Sequence, residues 1–133
     1  MKALFAKYIA YVLSVSIFMP LSVAQAAEMS TASRAEVEAL LNHLSNSGCQ
    51  FNRNGTWYSA QEAKTHLGKK LDYVIEKKLA TTAEQFIDTA ASKSSMSGKS
   101  YQVKCGNEAA QDSALWLQAA LKEMRNKKAA TGK

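Results

Sequence analysis

Proline is nearly absent from this chain: Pro20 is the only one in 133 residues. With so little of the residue that interrupts helices and central strands, the chain shows no repeats and no long linker. Histidine and cysteine are equally sparse, at two each. His43 and His66 lie far apart, with no acidic residue at a recognised ligand spacing from either, so no metal-binding set is expected. A Cys-x-x-Cys pair is missing, which argues against thiol oxidoreductase chemistry. Gly-x-Ser-x-Gly is missing too, so the sequence offers no nucleophile elbow. Gly98-Lys99-Ser100 imitates the end of a phosphate-binding loop, but Lys93 stands where that motif requires glycine. No cofactor, no metal and no catalytic residue is assigned.

Long hydrophobic runs are also scarce. The one that stands out extends from Tyr8 to Val23, behind Lys2 and Lys7, and ends in Ala24-Gln25-Ala26. Positive start, apolar middle and small-x-small end are the parts of a secretory signal, with cleavage expected after Ala26. The run is shorter than the roughly 20 apolar residues a permanent membrane helix needs, and no cysteine at the cleavage point could accept a lipid. The expected organisation is a cleaved signal peptide at 1–26 and a single α+β domain at 27–133 with a basic C-terminal tail. Export to the periplasm, no transmembrane anchor after cleavage and a monomeric state are the matching expectations.

Lys2 and Lys7 are two of the 17 basic residues, and all 11 acidic ones lie beyond Ala26, so residues 27–133 carry a net charge near +4. Lys122, Arg125, Lys127, Lys128 and Lys133 crowd the end of the chain, where a solvated helix end and frayed tail account for them. A basic tail alone does not make a nucleic-acid binder. Attraction to anionic envelope lipid or polysaccharide is the competing reading. Cys49 and Cys105 both lie in the exported part, and an even count in a small exported domain points to a disulfide.

Ser33 with Glu36, Ser59 with Glu62, and Thr81 with Glu84 each have the spacing of a capping box and predict three helix starts. The first helix carries Val37, Leu40, Leu41 and Leu44 on one face and stops at Gly48. The second carries Ala63, Leu67, Leu71, Val74 and Ile75, with His66 beside that stripe; the third is short and buries Phe86, Ile87, Ala90 and Ala91. Between the first two, Cys49, Phe51 and Arg53 point one way, Asn54-Gly55 can adopt positive φ, and Thr56-Trp57-Tyr58 is β-prone, which predicts a tight hairpin. Tyr101, Val103 and Cys105 alternate with polar residues as a later strand, after a Met96–Lys99 turn. Asp112 or Ser113 then caps a last helix with Trp116, Leu117, Ala120, Leu121 and Met124. The fold class is α+β: a small antiparallel sheet of a hairpin plus one later strand, packed with about four helices in the order αββααβα.

Phe51-x-Arg53-Asn54-Gly55, Glu62-Ala63-x-x-His66-Leu67, Ala83-Glu84-Gln85-Phe86-Ile87 and Ser94-Ser95-x-x-Gly98-Lys99-x-Tyr101 occur in that order. Together they resemble the YfeK-like family of small exported bacterial proteins of unknown function, over about residues 49–105. The resemblance implies no established activity, ligand or catalytic residue. It also marks two departures: some relatives lack the cysteine pair, and Ser100 stands where relatives often carry proline.

Arg53, at the hairpin, either pairs with a carboxylate such as Glu62 or stays free to grip an anion. His66 can titrate near neutrality. The run Ser92, Ser94, Ser95, Ser97 and Ser100, with Lys93 and Lys99, either offers hydroxyls, amides and two cations to an anion or is a solvated turn and helix cap. Trp57 and Tyr58 alternate, so only one of them can face inward. Asn54-Gly55-Thr56 fits the glycosylation pattern but reads here as a turn. The functional expectation is a non-enzymatic binding or interaction module for an envelope protein or an anionic or polar envelope ligand. Arg53, Asn54, His66, Ser94, Ser95, Ser97, Lys99 and Tyr101 form its candidate surface. The alternative is a small periplasmic hydrolase or an inhibitor of an envelope enzyme.

Overall fold

Polar residues that can cap and apolar residues at helical spacing account for most of the architecture in the computed structural model, which describes residues 26–132. The segment read as a secretory signal lies outside the described residues, apart from Ala26 at its end. Helix α1 spans Thr31–Asn46 and buries Val37, Leu40, Leu41 and Leu44, the four residues its periodicity selects. Gly48, at φ 69°, then turns the chain into strand β1, Gln50–Arg53. Asn54 and Gly55 both have positive φ, 53° and 86°, the signature of a type I′ turn, and strand β2 returns over Thr56–Ser59. Helix α2 runs over Ala60–Glu76 behind the Ser59–Glu62 capping box and continues through Gly68. Helix α3, Ala83–Phe86, passes into a π turn over Ile87–Ala91, and between them they bury Phe86, Ile87, Ala90 and Ala91.

Strand β3, Gln102–Lys104, pairs antiparallel with β1, and a two-residue strand β4, Gln111–Asp112, pairs with β3 before helix α4, Ser113–Thr131. The sheet order is β2-β1-β3-β4. The expected α+β class and antiparallel sheet are therefore present, with one correction: there are four strands, not three. Both residues of β4 are exposed, so no hydrophobic alternation marks it; its pairing with Gln102 and Val103 creates it.

Two of the three helix starts also shift. Ser30, not Ser33, caps α1, its hydroxyl accepting from the Ser33 amide at 3.1 Å. Thr82, not Thr81, caps α3, while the Gln85 side chain accepts from the Thr81 amide. Glu36 and Glu84, the two residues expected to close those caps, are instead both held by Arg125 of α4. The guanidinium grips Glu36 through two 2.8 Å bonds. A charge-assisted pair with an arginine replaces the local bond to an amide, and it ties α1, α3 and α4 together. At the far end of the chain, α4 stays helical to Thr131, with Lys127 paired to Glu123 one turn back.

The core is continuous, with Val37, Leu40, Leu44, Phe86, Ile87, Val103 and Leu117 at its centre. Helices α1 and α2 pack on each other, and α4 packs on α1 and the π turn. Phe51 and Val103, paired across β1 and β3, give the inner face of the sheet to this core.

Candidate functional site

Strand register decides which polar groups meet. In the antiparallel β1–β3 ladder Phe51 faces Val103, and side chains two residues along point to the same face. Continued outward, this register sets Cys49 against Cys105 at one end and Arg53 against Tyr101 at the other. The first pair is a disulfide, with 4.3 Å between Cα atoms, as the cysteine count led one to expect. The inner face of the sheet thus grades from disulfide, through Phe51 and Val103, to a polar end at Arg53 and Tyr101. The tight turn adds Tyr58, paired with Phe51, to the same face and leaves Trp57 40% exposed on the other.

Helix α2 covers this polar end with His66 and, one turn on, Lys70. Arg53 Nη1 lies 2.7 Å from His66 Nδ1 and 3.2 Å from Nε2. Its Nη2 donates to the Tyr58 hydroxyl at 3.4 Å, with the guanidinium carbon 5.0 Å from the ring centre. His66 Nε2 is 3.3 Å from the Tyr101 hydroxyl, and Lys70 Nζ donates to that same oxygen at 3.2 Å. The Lys70 ammonium also sits 5.1 Å from the centre of the Tyr101 ring.

The proton inventory follows from the arginine, which can only donate. His66 Nδ1, at the shorter distance, accepts, so the imidazole is neutral with its proton on Nε2, where it donates to Tyr101. Tyr101 receives two hydrogen bonds from His66 and Lys70, which leaves its own O–H to point elsewhere. Tyr58 receives from Arg53 and likewise keeps its O–H. The O–H protons of Tyr58 and Tyr101 are thus the ones that the bonds within the cluster do not use.

The surroundings reinforce the neutral imidazole. Burial lowers the His66 pKa from its ordinary value, and the charges of Arg53, Lys70 and Lys69 lower it further. Burial, then Arg53, also lowers the pKa of Lys70, while burial raises that of the Tyr101 phenol. Among the described residues Arg53 has no carboxylate partner. Glu62, the partner considered from the sequence, keeps its carboxylate on the Ser59 amide at 2.8 Å as the N-terminal cap of α2.

Arg53, Tyr58, His66 and Tyr101 line a pocket of about 450 Å³ between the sheet and α2. Its floor is apolar, formed by Leu44, Phe51, Ala63, Leu67 and Leu117. The one serine on its wall, Ser113, is buried and donates to the Ala91 carbonyl at 2.8 Å. No histidine stands beside that hydroxyl as a base among its bonded partners, so the wall holds no activated nucleophile of the serine–histidine kind.

The remaining candidates form a second cluster. Asn54 Nδ2 donates to Ser94 Oγ at 3.4 Å, and Ser97 Oγ donates to Asn54 Oδ1 at 2.5 Å. Ser94, only 5% exposed, also accepts from the Ser97 amide, and Ser97 Oγ accepts from the Lys99 amide. Gly98, at φ 70°, closes the turn, and Lys93 pairs with Ser100 across it. This bonding pins the serine turn to the β1–β2 hairpin. Ser95 and the Lys99 side chain stay exposed, with no side-chain hydrogen bond among the described residues.

Arg53, His66 and Tyr101 therefore converge, whereas Asn54, Ser94 and Ser97 bond one another beside them. Lys70 and Tyr58 are members of the site that the motifs did not single out. Both had a signal: Lys70 follows His66 by four residues on one helix face, and a two-residue turn fixes Tyr58 opposite Phe51. No group of three or more metal-ligating side chains occurs among the described residues, and none of their helices is long and apolar enough to cross a membrane.

Residues 31–125, which include every part of both clusters, match the family of unknown function DUF5329, and the chain belongs to that family. It is also similar to the uncharacterised protein YfeK of Salmonella typhimurium strain LT2, with 43% identity over 68 residues. That match covers 50% of this chain and 55% of the relative, so it spans about half the length of each. The YfeK-like resemblance read from the motifs is thus established. No solved structure matches the chain at a significant level.

Proposed function

We propose that this protein is an exported, non-enzymatic binding module of the bacterial envelope that holds an anionic or strongly hydrogen-bond-accepting ligand at the Arg53–His66–Tyr101 pocket. The observation that carries this reading is the one-way hydrogen bonding of the site. Arg53 and Lys70 can only donate, and the Tyr58 and Tyr101 hydroxyls, which accept from them, keep their own O–H protons to give to a ligand. A ligand bearing acceptors meets those protons, and one bearing negative charge gains further from Arg53, which has no carboxylate partner among the described residues. Export is supported by the leading apolar segment and by the Cys49–Cys105 disulfide, a bond that persists in oxidising compartments.

The test is a titration of the purified protein with sodium acetate and with inorganic phosphate, followed through the NMR signals of the His66 imidazole and the Arg53 Nε–H. Saturable shifts in both groups, lost in Arg53→Ala, are expected. Flat signals for both anions would refute an anion site. For the location, a periplasmic fraction should yield a chain beginning at Ala27; a chain retaining Met1 in the cytosol would refute export.

A further inference from the structure

The pocket is much larger than a single anion needs. A small anion fills roughly one or two water volumes of about 30 Å³ each, whereas the cavity holds about 450 Å³. On that scale it accommodates on the order of 15 non-hydrogen atoms. The donors are gathered along one edge, at Arg53, Tyr58 and Tyr101, and the floor is made of Leu44, Phe51, Ala63, Leu67 and Leu117. A bare anion would leave water standing over that apolar floor. A wholly apolar ligand would leave the Tyr58 and Tyr101 O–H protons without an acceptor and the Arg53 charge without a counterion.

Charge sets a further limit. Glu62 lines the same pocket, and its carboxylate, held on the Ser59 amide, keeps a negative charge in the wall. The neutral His66 adds no cation, and Lys70 is turned onto the Tyr101 hydroxyl and the Lys93 carbonyl. Arg53 is the cation on the donor edge; Lys69 also lines the pocket, and Glu62 offsets one of these two positive charges, so the wall carries one net positive charge, enough for one negative charge. The planar fork of Arg53 matches the two oxygens of a carboxylate.

Building on the anion-site reading above, we infer that the ligand is an amphiphilic monocarboxylate: one carboxylate on the Arg53 edge and an unbranched apolar chain of medium length over the Leu44–Leu117 floor. The pocket would then hold a free medium-chain fatty acid, with the head recognised by the sheet and the tail by the face of α2 that carries Ala63 and Leu67.

The experiment is calorimetric and NMR titration of the purified protein with acetate, butanoate, hexanoate, octanoate and octan-1-ol. From butanoate upward the affinity is expected to rise about fourfold with each methylene, the value of burying one CH₂. Octanoate should shift the Arg53 and His66 signals, and octanol should bind at least tenfold more weakly. Arg53→Ala should bring octanoate down to the octanol level; Arg53→Lys, which keeps the charge but loses the fork, should fall between. If acetate binds as tightly as octanoate while shifting Arg53, the tail assignment is overturned and the anion site stands. Octanol matching octanoate, or no acid shifting Arg53 and His66, would overturn both.

Discussion

The bond between Cys49 and Cys105 offers the most quantitative test of how this chain is held together. The two residues are 56 apart in sequence, and closing a loop of that length removes about 4 kcal/mol of disorder from the unfolded chain in the loop-entropy picture. That is a large part of the 5–15 kcal/mol typical of a folded domain. The β1–β3 ladder it adjoins has only three residue pairs, Gln50 with Lys104, Phe51 with Val103 and Asn52 with Gln102, so little else fixes its register locally. At roughly 4–8 °C per kcal/mol for a domain of about this size, reduction should lower the melting temperature by on the order of 20 °C. The assay is thermal unfolding by far-ultraviolet circular dichroism of the oxidised protein, the same protein in dithiothreitol, and a Cys49→Ala/Cys105→Ala double variant. The double variant should melt slightly below the reduced protein, because Cys49 is buried and its sulfur is lost from the core. A fall of less than about 5 °C in both would refute the reasoning, since the unfolded chain would then be equally restricted without the bond.

Two further outcomes follow from the core and from the site. Phe86→Ala should cost about 3–5 kcal/mol in urea unfolding, because the ring is 0% exposed where α3 passes into the π turn; a loss below about 1 kcal/mol would show that the site collapses freely. The His66 imidazole should titrate below its ordinary 6.5, because burial and then the charges of Arg53, Lys70 and Lys69 favour the neutral ring. The unfolded chain therefore takes up the proton first, so this contribution to stability is complete above about pH 6.5 and is lost as pH falls through the folded value. Proton NMR of the ring checks the midpoint, and Arg53→Ala should raise it; a midpoint at or above 6.5 in the native protein would contradict the site geometry.

Much of the fold was legible because its signals are local. The helical spacing of Val37, Leu40, Leu41 and Leu44, the positive-φ pair Asn54-Gly55, and the alternation of Tyr101 with Val103 each depend on a few neighbouring residues, and each appears as read. Glu36 and Glu84 show where that locality ends. Each has the spacing of a capping residue, yet Arg125, 89 and 41 residues away, takes both, because an ionic partner brought close by packing outcompetes a nearby amide. Strand β4 was not visible for the same reason: nothing in Gln111-Asp112 is β-prone until β3 lies beside it.

The chain by itself determined its pair of cysteines, its helix faces and the alternation that aims Cys49, Phe51 and Arg53 to one side. Tertiary structure alone decided that Arg53 would meet His66 and Tyr101 rather than Glu62, that Lys70 and Tyr58 would join them, and that Asn54 would be used to anchor the serine turn. Side-chain direction is set by periods of two and 3.6 residues, which any short window reveals. Which donor finds an acceptor depends on the register of β1 against β3 and the seating of α2 on the sheet, and those exist only once the core has formed.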